Sequence, residues 1–327
     1  MKEYIKKDLS CEKAYAALDA MLDPSTDDKD IHEFLTYKKP TDVTPDELLG
    51  FVKAMRERAE PLKKRAGILV DTCGTGGDCT GTINVSTGAA IIAASAGVSI
   101  AKHGNYAATS NSGSANVLEA LGYNIHASPE EMIKNTGFGF LFAPNFYTAM
   151  SRVASIRRDL GKKTIFNLLG PLCNPANADA QLIGVYDESF CEKFCYVLKE
   201  LGVKRALVVH GSGLDEISNL DETVVYELNN GDVKNYTIKP EDFELKRYEL
   251  EDISGSSPEE NAEHFRAVLK GKKGARRDSF VLNAAGAIYL GSGAPTLKEG
   301  IKEAEEAIDS GEASMKLHDI IECSNRF

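Results

Sequence analysis

Apolar residues recur along this chain at two different periods, and each change of period marks the start of a new element. At Thr44-Pro45-Asp46-Glu47 a hydroxyl, a proline at the first helical position and a glutamate at the third form a capping box, and Leu48, Val52, Met55 and Ala59 follow at spacings of four and three. This predicts an amphipathic helix, and the first 67 residues read as helical. At Gly67-Ile68-Leu69-Val70 the pattern shortens to a strand-type run, which ends in Gly74-Thr75-Gly76-Gly77 and passes into a helix beginning near Ser86. The apolar stretch over 87–98 is rich in small residues, interrupted by Gly88, Ser95 and Gly97, and too short for a membrane span. It predicts a buried helix.

Further units of the same kind follow. A strand over 98–101 precedes Lys102-His103-Gly104-Asn105, a helix over 115–121 stops at Gly122, Ser128-Pro129-Glu130-Glu131 caps another, and 138–142 reads as a strand. Strands at 181–185 and 206–209 flank a helix over 190–201, and 223–228 and 233–238 surround Asn229-Asn230-Gly231-Asp232 as a hairpin. Ser257-Pro258-Glu259-Glu260 opens one more helix, and the tail from Ser279 is mostly helical. The expected class is α/β: a small helical N-terminal domain and a larger α/β domain, with a central mixed, mostly parallel sheet flanked by helices. No internal repeat, low-complexity tract or long linker interrupts it.

Composition adjusts this picture at its edges. At about 150 residues per domain, 327 residues make roughly two domains. Thirty-eight Lys and Arg against 49 Asp and Glu leave a net charge of −11, which opposes nucleic-acid backbones and anionic membranes unless basic residues are locally concentrated. Seven cysteines (11, 73, 79, 173, 191, 195, 323), an odd number without a CxxC pair, imply free thiols and a reducing cytoplasm. Cys191 and Cys195 share one helix face and read as core thiols. Glu12, Lys13 and Asp19 break the N-terminal apolar run, so no signal peptide is expected.

Three loops carry candidate chemistry. Asp71-Thr72-Cys73-Gly74-Thr75-Gly76-Gly77-Asp78, followed by Gly81-Thr82-Ile83-Asn84-Val85-Ser86-Thr87, places glycines between a strand and a helix N-terminus, where backbone N–H groups and the helix dipole suit a phosphate. The pattern is neither a Walker loop nor GxGxxG, and a tight turn is the alternative for the glycines alone. Lys102-His103-Gly104-Asn105 and Thr109-Ser110-Asn111-Ser112-Gly113-Ser114 would share the rim to which the carboxyl ends of parallel strands point. There Lys102 offers a point charge, whereas His103 alone reads more readily as a structural hydrogen-bonding residue. In His210-Gly211-Ser212-Gly213-Leu214-Asp215-Glu216, two adjacent carboxylates suit Mg²⁺ and are expected to be exposed; a solvated acidic turn is the alternative.

Taken in order, GTGGD (74–78), NVST (84–87), KHGN (102–105), SGSANVLEALG (112–122), IRRDLGKKTIFNLLGPLCNP (156–175), GLDE (213–216) and LNAAGAIYL (282–290) resemble the anthranilate phosphoribosyltransferases, whose fold is shared with pyrimidine nucleoside phosphorylases. The resemblance implies a helical domain over 1–67 joined by a segment near 163–175, an α/β domain over 68–327, a homodimer formed through the helical domains, and a role in tryptophan biosynthesis. It implies that phosphoribosyl pyrophosphate meets Gly74, Gly77, Asp78, Thr82, Asn84, Val85, Ser86, Thr87, Lys102, His103, Gly104, Asn105, Ser110 and Ser114. Mg²⁺ would be held by Ser86, Asp215 and Glu216, and anthranilate by Gly74, Asn105 and Arg157, whose planar guanidinium suits a carboxylate.

Three positions depart from the family pattern: Tyr106 stands where it has Arg, Asn111 where it has Lys, and Asn116 where it has Asp. Another aromatic amine as acceptor, a nucleoside phosphorylase activity, and a non-catalytic nucleic-acid-binding relative are the competing readings. Asp215, Glu216 and Arg157 weigh against the phosphorylase, and the net charge against nucleic acid.

Overall fold

Three helices open the chain, α1 (Cys11–Leu22), α2 (Asp28–Tyr37) and α3 (Pro45–Glu57), and each has a side-chain oxygen at its N-cap, from Ser10, Asp27 and Thr44. At Thr44 the capping box forms as the sequence predicts: the Glu47 N–H donates to Thr44 Oγ1 at 3.2 Å, and the Thr44 N–H to Glu47 Oε2 at 2.9 Å. Glu47 also does something no local pattern shows. Its Oε1 accepts the Leu9 N–H at 2.8 Å and pairs with Lys38 Nζ, with both charged side chains buried. One carboxylate thus ties together the segments that precede α1, follow α2 and start α3.

The computed structural model describes residues 1–5, 8–62, 67–78, 80–107 and 112–327; Cys79, Thr109, Ser110 and Asn111 therefore lie outside the described residues. After the opening helices come β1 (Leu69–Gly74), α4 (Val85–Ser95), β2 (Ser99–Gly104), α5 (Ser114–Leu121), α6 (Pro129–Thr136) and β3 (Phe138–Phe142). A helical return follows, made of α7 (Ala143–Phe146), α8 (Met150–Leu160) and α9 (Phe166–Leu172). The chain then re-enters the sheet with β4 (Ala180–Gly184), α10 (Phe190–Glu200), β5 (Arg205–Gly211) and the hairpin β6 (Thr223–Asn229) and β7 (Asp232–Ile238). It ends in α11 (Pro258–Leu269), α12 (Ala275–Leu290), α13 (Leu297–Asp309) and α14 (Glu312–Ser324). Among the described residues no helix is long and apolar enough to cross a membrane.

Among the described residues seven strands form one sheet in the order β3-β2-β1-β4-β5-β6-β7, parallel through β5 and antiparallel in the hairpin. The winding direction reverses between β1 and β4, and in such sheets the crevice outside the carboxyl ends of the strands at that reversal is where ligands bind. The strands beside the reversal differ from the sequence reading. β1 runs on through Asp71, Thr72 and Cys73 to Gly74, and β2 takes in Lys102, His103 and Gly104, which the sequence placed in a loop. Polar residues are tolerated in these central strands because they find partners across the sheet: Asp71 Oδ1 accepts the His103 N–H at 3.1 Å, and Asp71 Oδ2 accepts from Gln181 Nε2 at 3.3 Å.

Helices cover both faces of the sheet. α4 and α12 pack together on one, and a Cβ on Gly88 would overlap the Phe280 ring. On the other, α10 and the inward residues Ile183, Val185 and Val208 belong to the same apolar cluster as Leu18, Phe34 and Phe51 of the opening helices.

Candidate functional site

The crevice is built by close backbone approach. A Cβ on Gly184, at the end of β4, would overlap the Asp215 backbone carbonyl, and one on Gly74, at the end of β1, would overlap the Asp215 carboxylate. These glycines therefore admit the acidic turn that follows β5 beneath the glycine loop. The two are then stitched together: the Gly76 N–H donates to Asp215 Oδ2 at 2.6 Å, and the Ser86 N–H to Glu216 Oε1 at 3.2 Å. Ser86, Asp215 and Glu216 converge, although 130 positions separate Ser86 from Glu216.

The sequence expectation that both carboxylates would be exposed is corrected here. Asp215 is only 8% exposed and Glu216 is half-buried, because the turn folds under the glycine loop. Burial pushes the Asp215 carboxyl up to about 7, with the Asp78 charge adding to the shift and the Gly76 N–H opposing it. Glu216 is pushed upward by burial and by Asp215, with Lys102 opposing. Two desolvated, mutually repelling acceptor groups fit a divalent cation, which would keep both ionised. Among the described residues no set of three His, Cys, Asp or Glu side chains converges at ligand range, so a cation would take its remaining ligands from water and substrate oxygens, as Mg²⁺ does.

Lys102 also departs from the picture of a rim charge. It is 1% exposed, and its Nζ donates to the Thr72 carbonyl at 2.6 Å and to Ser86 Oγ at 3.2 Å, so it props the start of α4 from below. Asn84 stands at the N-cap of α4 without capping it. Its amide instead reaches the Ser112 carbonyl at 2.8 Å, which ties the second Gly/Ser-rich loop to the first. Thr82 pairs with Ser254 in an isolated bridge, Val85 is buried, and Thr87 Oγ1 is buried without a hydrogen-bond partner among the described residues. Ser114 Oγ donates to the Asn105 carbonyl at 3.3 Å. Asn116 Oδ1 accepts from the Ala107 and Gly113 N–H groups, each at 3.0 Å, so an amide closes this turn where the family pattern has a carboxylate. Ser110 lies outside the described residues.

Beside this crevice lies a cavity of about 420 Å³ between the strand ends and the helical return, walled by Met55, His103, Asn105, Tyr147, Arg157 and Phe166 among others. The sequence held no signal for the cavity itself, because its wall draws on widely separated segments. His103 Nδ1 lies 3.1 Å from the Gly170 carbonyl. A carbonyl can only accept, so Nδ1 carries the proton, and the Nε2 lone pair is left buried without a partner among the described residues. Burial lowers the His103 pKa, favouring this neutral form. The Arg157 guanidinium sits 5.3 Å from the centre of the Phe166 ring, has no carboxylate partner among the described residues, and is pushed down to about 10 by desolvation. An unpaired, partly dehydrated cation in an apolar cavity suits a carboxylate ligand. Tyr106 does not line this cavity; its ring stands edge-on to Phe142 at 5.1 Å and its hydroxyl donates to Glu119 at 3.1 Å.

The family model for the glycosyl transferase family, a/b domain, matches residues 66–314. The anthranilate phosphoribosyltransferase of Methanosarcina mazei is 48% identical over 327 residues, covering 97% of this chain and 88% of that one. The enzyme of that name from Clostridium kluyveri is 47% identical over 323 residues, covering 98% and 96%. Among solved structures, the anthranilate phosphoribosyltransferase of Thermus thermophilus superposes with a TM-score of 0.92 at 42% identity, covering 99% of this chain and 98% of that one. The Saccharomyces cerevisiae enzyme in complex with PRPP and Mg gives 0.89 at 30% identity, covering 100% and 98%.

Proposed function

This chain belongs to the anthranilate phosphoribosyltransferase family, and we propose that it transfers the phosphoribosyl group of phosphoribosyl pyrophosphate to anthranilate, giving N-(5-phosphoribosyl)anthranilate and pyrophosphate in tryptophan biosynthesis. The observation that carries this reading is the cavity holding a cation, Arg157, and a ring nitrogen, His103 Nε2, neither paired among the described residues, beside a glycine-rich crevice with the desolvated carboxylates Asp215 and Glu216. Those are the counterparts of an aminobenzoate and of a phosphorylated sugar.

In this assignment the donor lies along Gly74, Gly77, Asp78, Thr82, Asn84 to Thr87, Gly104, Asn105 and Ser114, with Lys102 supplying positive charge from beneath. Ser86, Asp215 and Glu216 would hold Mg²⁺, which when bound offsets the charge growing on the departing pyrophosphate. Arg157 takes the anthranilate carboxylate, and Gly74 and Asn105 lie along the same acceptor path. His103 Nε2 accepts a hydrogen bond from the amine and so aims the nitrogen lone pair at C1 of the ribose. As the C1–N bond forms, the C1–O bond breaks and its electron pair leaves with pyrophosphate; the amine then gives up a proton to the departing pyrophosphate.

A shifted acceptor, suggested by Tyr106, finds no support in its position outside the cavity. The helical residues 1–67, joined by the segment near 163–175, are assigned as one domain and the rest of 68–327 as the other, with a homodimer formed through the helical parts. The unpaired state of all six described cysteines supports a reducing, cytoplasmic setting. The test is incubation with phosphoribosyl pyrophosphate, Mg²⁺ and a panel of aminobenzoates, following pyrophosphate release. Anthranilate should be the preferred acceptor; release with none of the panel would refute the reading.

A further inference from the structure

We infer that Lys163, in the segment between α8 and α9, binds the pyrophosphate of phosphoribosyl pyrophosphate over the glycine loop, so that the helical return supplies a charge to a donor site built on the sheet. The inference rests on the phosphoribosyl-transfer reading and adds a donor-binding group to it.

Lys163 reaches the glycine loop from across the crevice. A Cβ on Gly77 would lie 3.1 Å from Lys163 Cε and 3.6 Å from its Nζ, so the end of this side chain lies directly against the loop. The ammonium is held 3.6 Å from the centre of the Tyr186 ring. That ring is itself anchored to the loop, since the Tyr186 N–H donates to Thr75 Oγ1 at 3.1 Å and the Thr75 N–H donates to the Gly184 carbonyl at 3.0 Å. Among the described residues the ammonium has no carboxylate or carbonyl partner. An aromatic face attracts the charge but gives no directed acceptor to its three N–H groups.

The charge at this loop is otherwise negative. Asp78, Asp215 and Glu216 are all acidic, Lys102 is turned inward onto Thr72 and Ser86, and Arg157 belongs to the acceptor cavity. A Mg²⁺ ion held by the carboxylates would leave much of a pyrophosphate's charge unmatched. Lys163 faces the loop from the other side, parked on a ring and short of acceptors, and phosphate oxygens provide what it lacks.

The test uses the intact protein with Lys163→Met, Lys163→Arg and Tyr186→Leu. Lys163→Met should raise the KM for phosphoribosyl pyrophosphate by about ten- to a hundredfold, as expected when a hydrogen bond to a charged group is lost. The KM for anthranilate should stay within about twofold, well below what loss of any one charged contact costs. Lys163→Arg should restore most of the loss, and Tyr186→Leu should give a smaller rise of the same kind. Calorimetric binding of Mg-pyrophosphate should weaken in parallel. An unchanged donor KM in Lys163→Met, or equal rises in both KM values with a lowered melting temperature, would overturn the assignment. If the unmutated protein turns over no aminobenzoate yet binds Mg-pyrophosphate in a Lys163-dependent way, the function reading falls and the Lys163 assignment stands.

Discussion

The two faces of the sheet are packed by different means, and the two halves of the site inherit that difference. On the face of α4 and α12 the helices are buried almost all round, and they approach through Gly88 and a run of alanines against Phe280 and its neighbours. On the opposite face amphipathic helices meet through Phe34, Phe51, Phe190 and Phe194, and a buried ion pair is stapled into the interior. The glycine loop and the start of α4 rest on the first face, where small residues leave little room for adjustment. The cavity proposed for the acceptor opens where the second core leaves the sheet, and its wall is made mainly of side chains from separate elements. In the proposed assignment the donor half leans on the backbone of the glycine loop, with a few charged side chains around it, and the acceptor half on side chains, which suits a phosphate site shared among many proteins and an acceptor site particular to one reaction.

The hardest break is Glu47→Ala, which removes the acceptor of two backbone N–H groups and the buried counter-ion of Lys38. It should destabilise the protein by about 3–5 kcal/mol in urea or thermal unfolding. A loss under about 1 kcal/mol, the scale of an exposed pair, would show that this ion pair does not hold the helical core together.

Next comes Asp215→Asn, which should lower pyrophosphate release about 10²- to 10³-fold, the scale seen when electrostatic stabilisation of a developing charge is removed. Folding should suffer little, because a carboxyl already pushed up to about 7 by burial loses little by becoming an amide. Equal activity of the unmutated enzyme with and without EDTA would remove the metal assignment.

Arg157→Ala sharpens the contrast between the two halves. It should raise the anthranilate KM by about ten- to a hundredfold, equivalent to about 1.5–3 kcal/mol, and leave the donor KM near its starting value. If both requirements rose together, the cavity would belong to the donor as well.

The smallest effect belongs to Tyr106→Arg. The new guanidinium would meet Glu119 at the surface, a pair worth under about 1 kcal/mol, outside the acceptor cavity. Donor and acceptor KM values should therefore change little, and a marked gain of anthranilate activity would show that this position shapes the acceptor after all.

Much of this molecule is written locally in its sequence. The capping box at Thr44, the caps at Ser128 and Ser257, the strand Phe138–Phe142 and the stop at Gly122 were legible because each depends on a few neighbouring residues. The hairpin at Asn230 and Gly231, with φ of 50° and 95°, was legible for the same reason. The order of the motifs further placed the candidate site residues on the strand ends of an α/β sheet. What tertiary structure alone decided is where those residues stand relative to water and to one another. Asp71 reads with the glycine loop, yet it belongs to a central strand, where His103 and Gln181 come across to it. Asp215 looked exposed until the Gly76 amide, 139 positions away, folded over it, and Lys102 looked like a rim charge until Thr72 and Ser86 turned it inward. Desolvation, ion pairing and the cavity wall all depend on groups brought together by the fold from distant parts of the chain, and no local spacing encodes the distance between them.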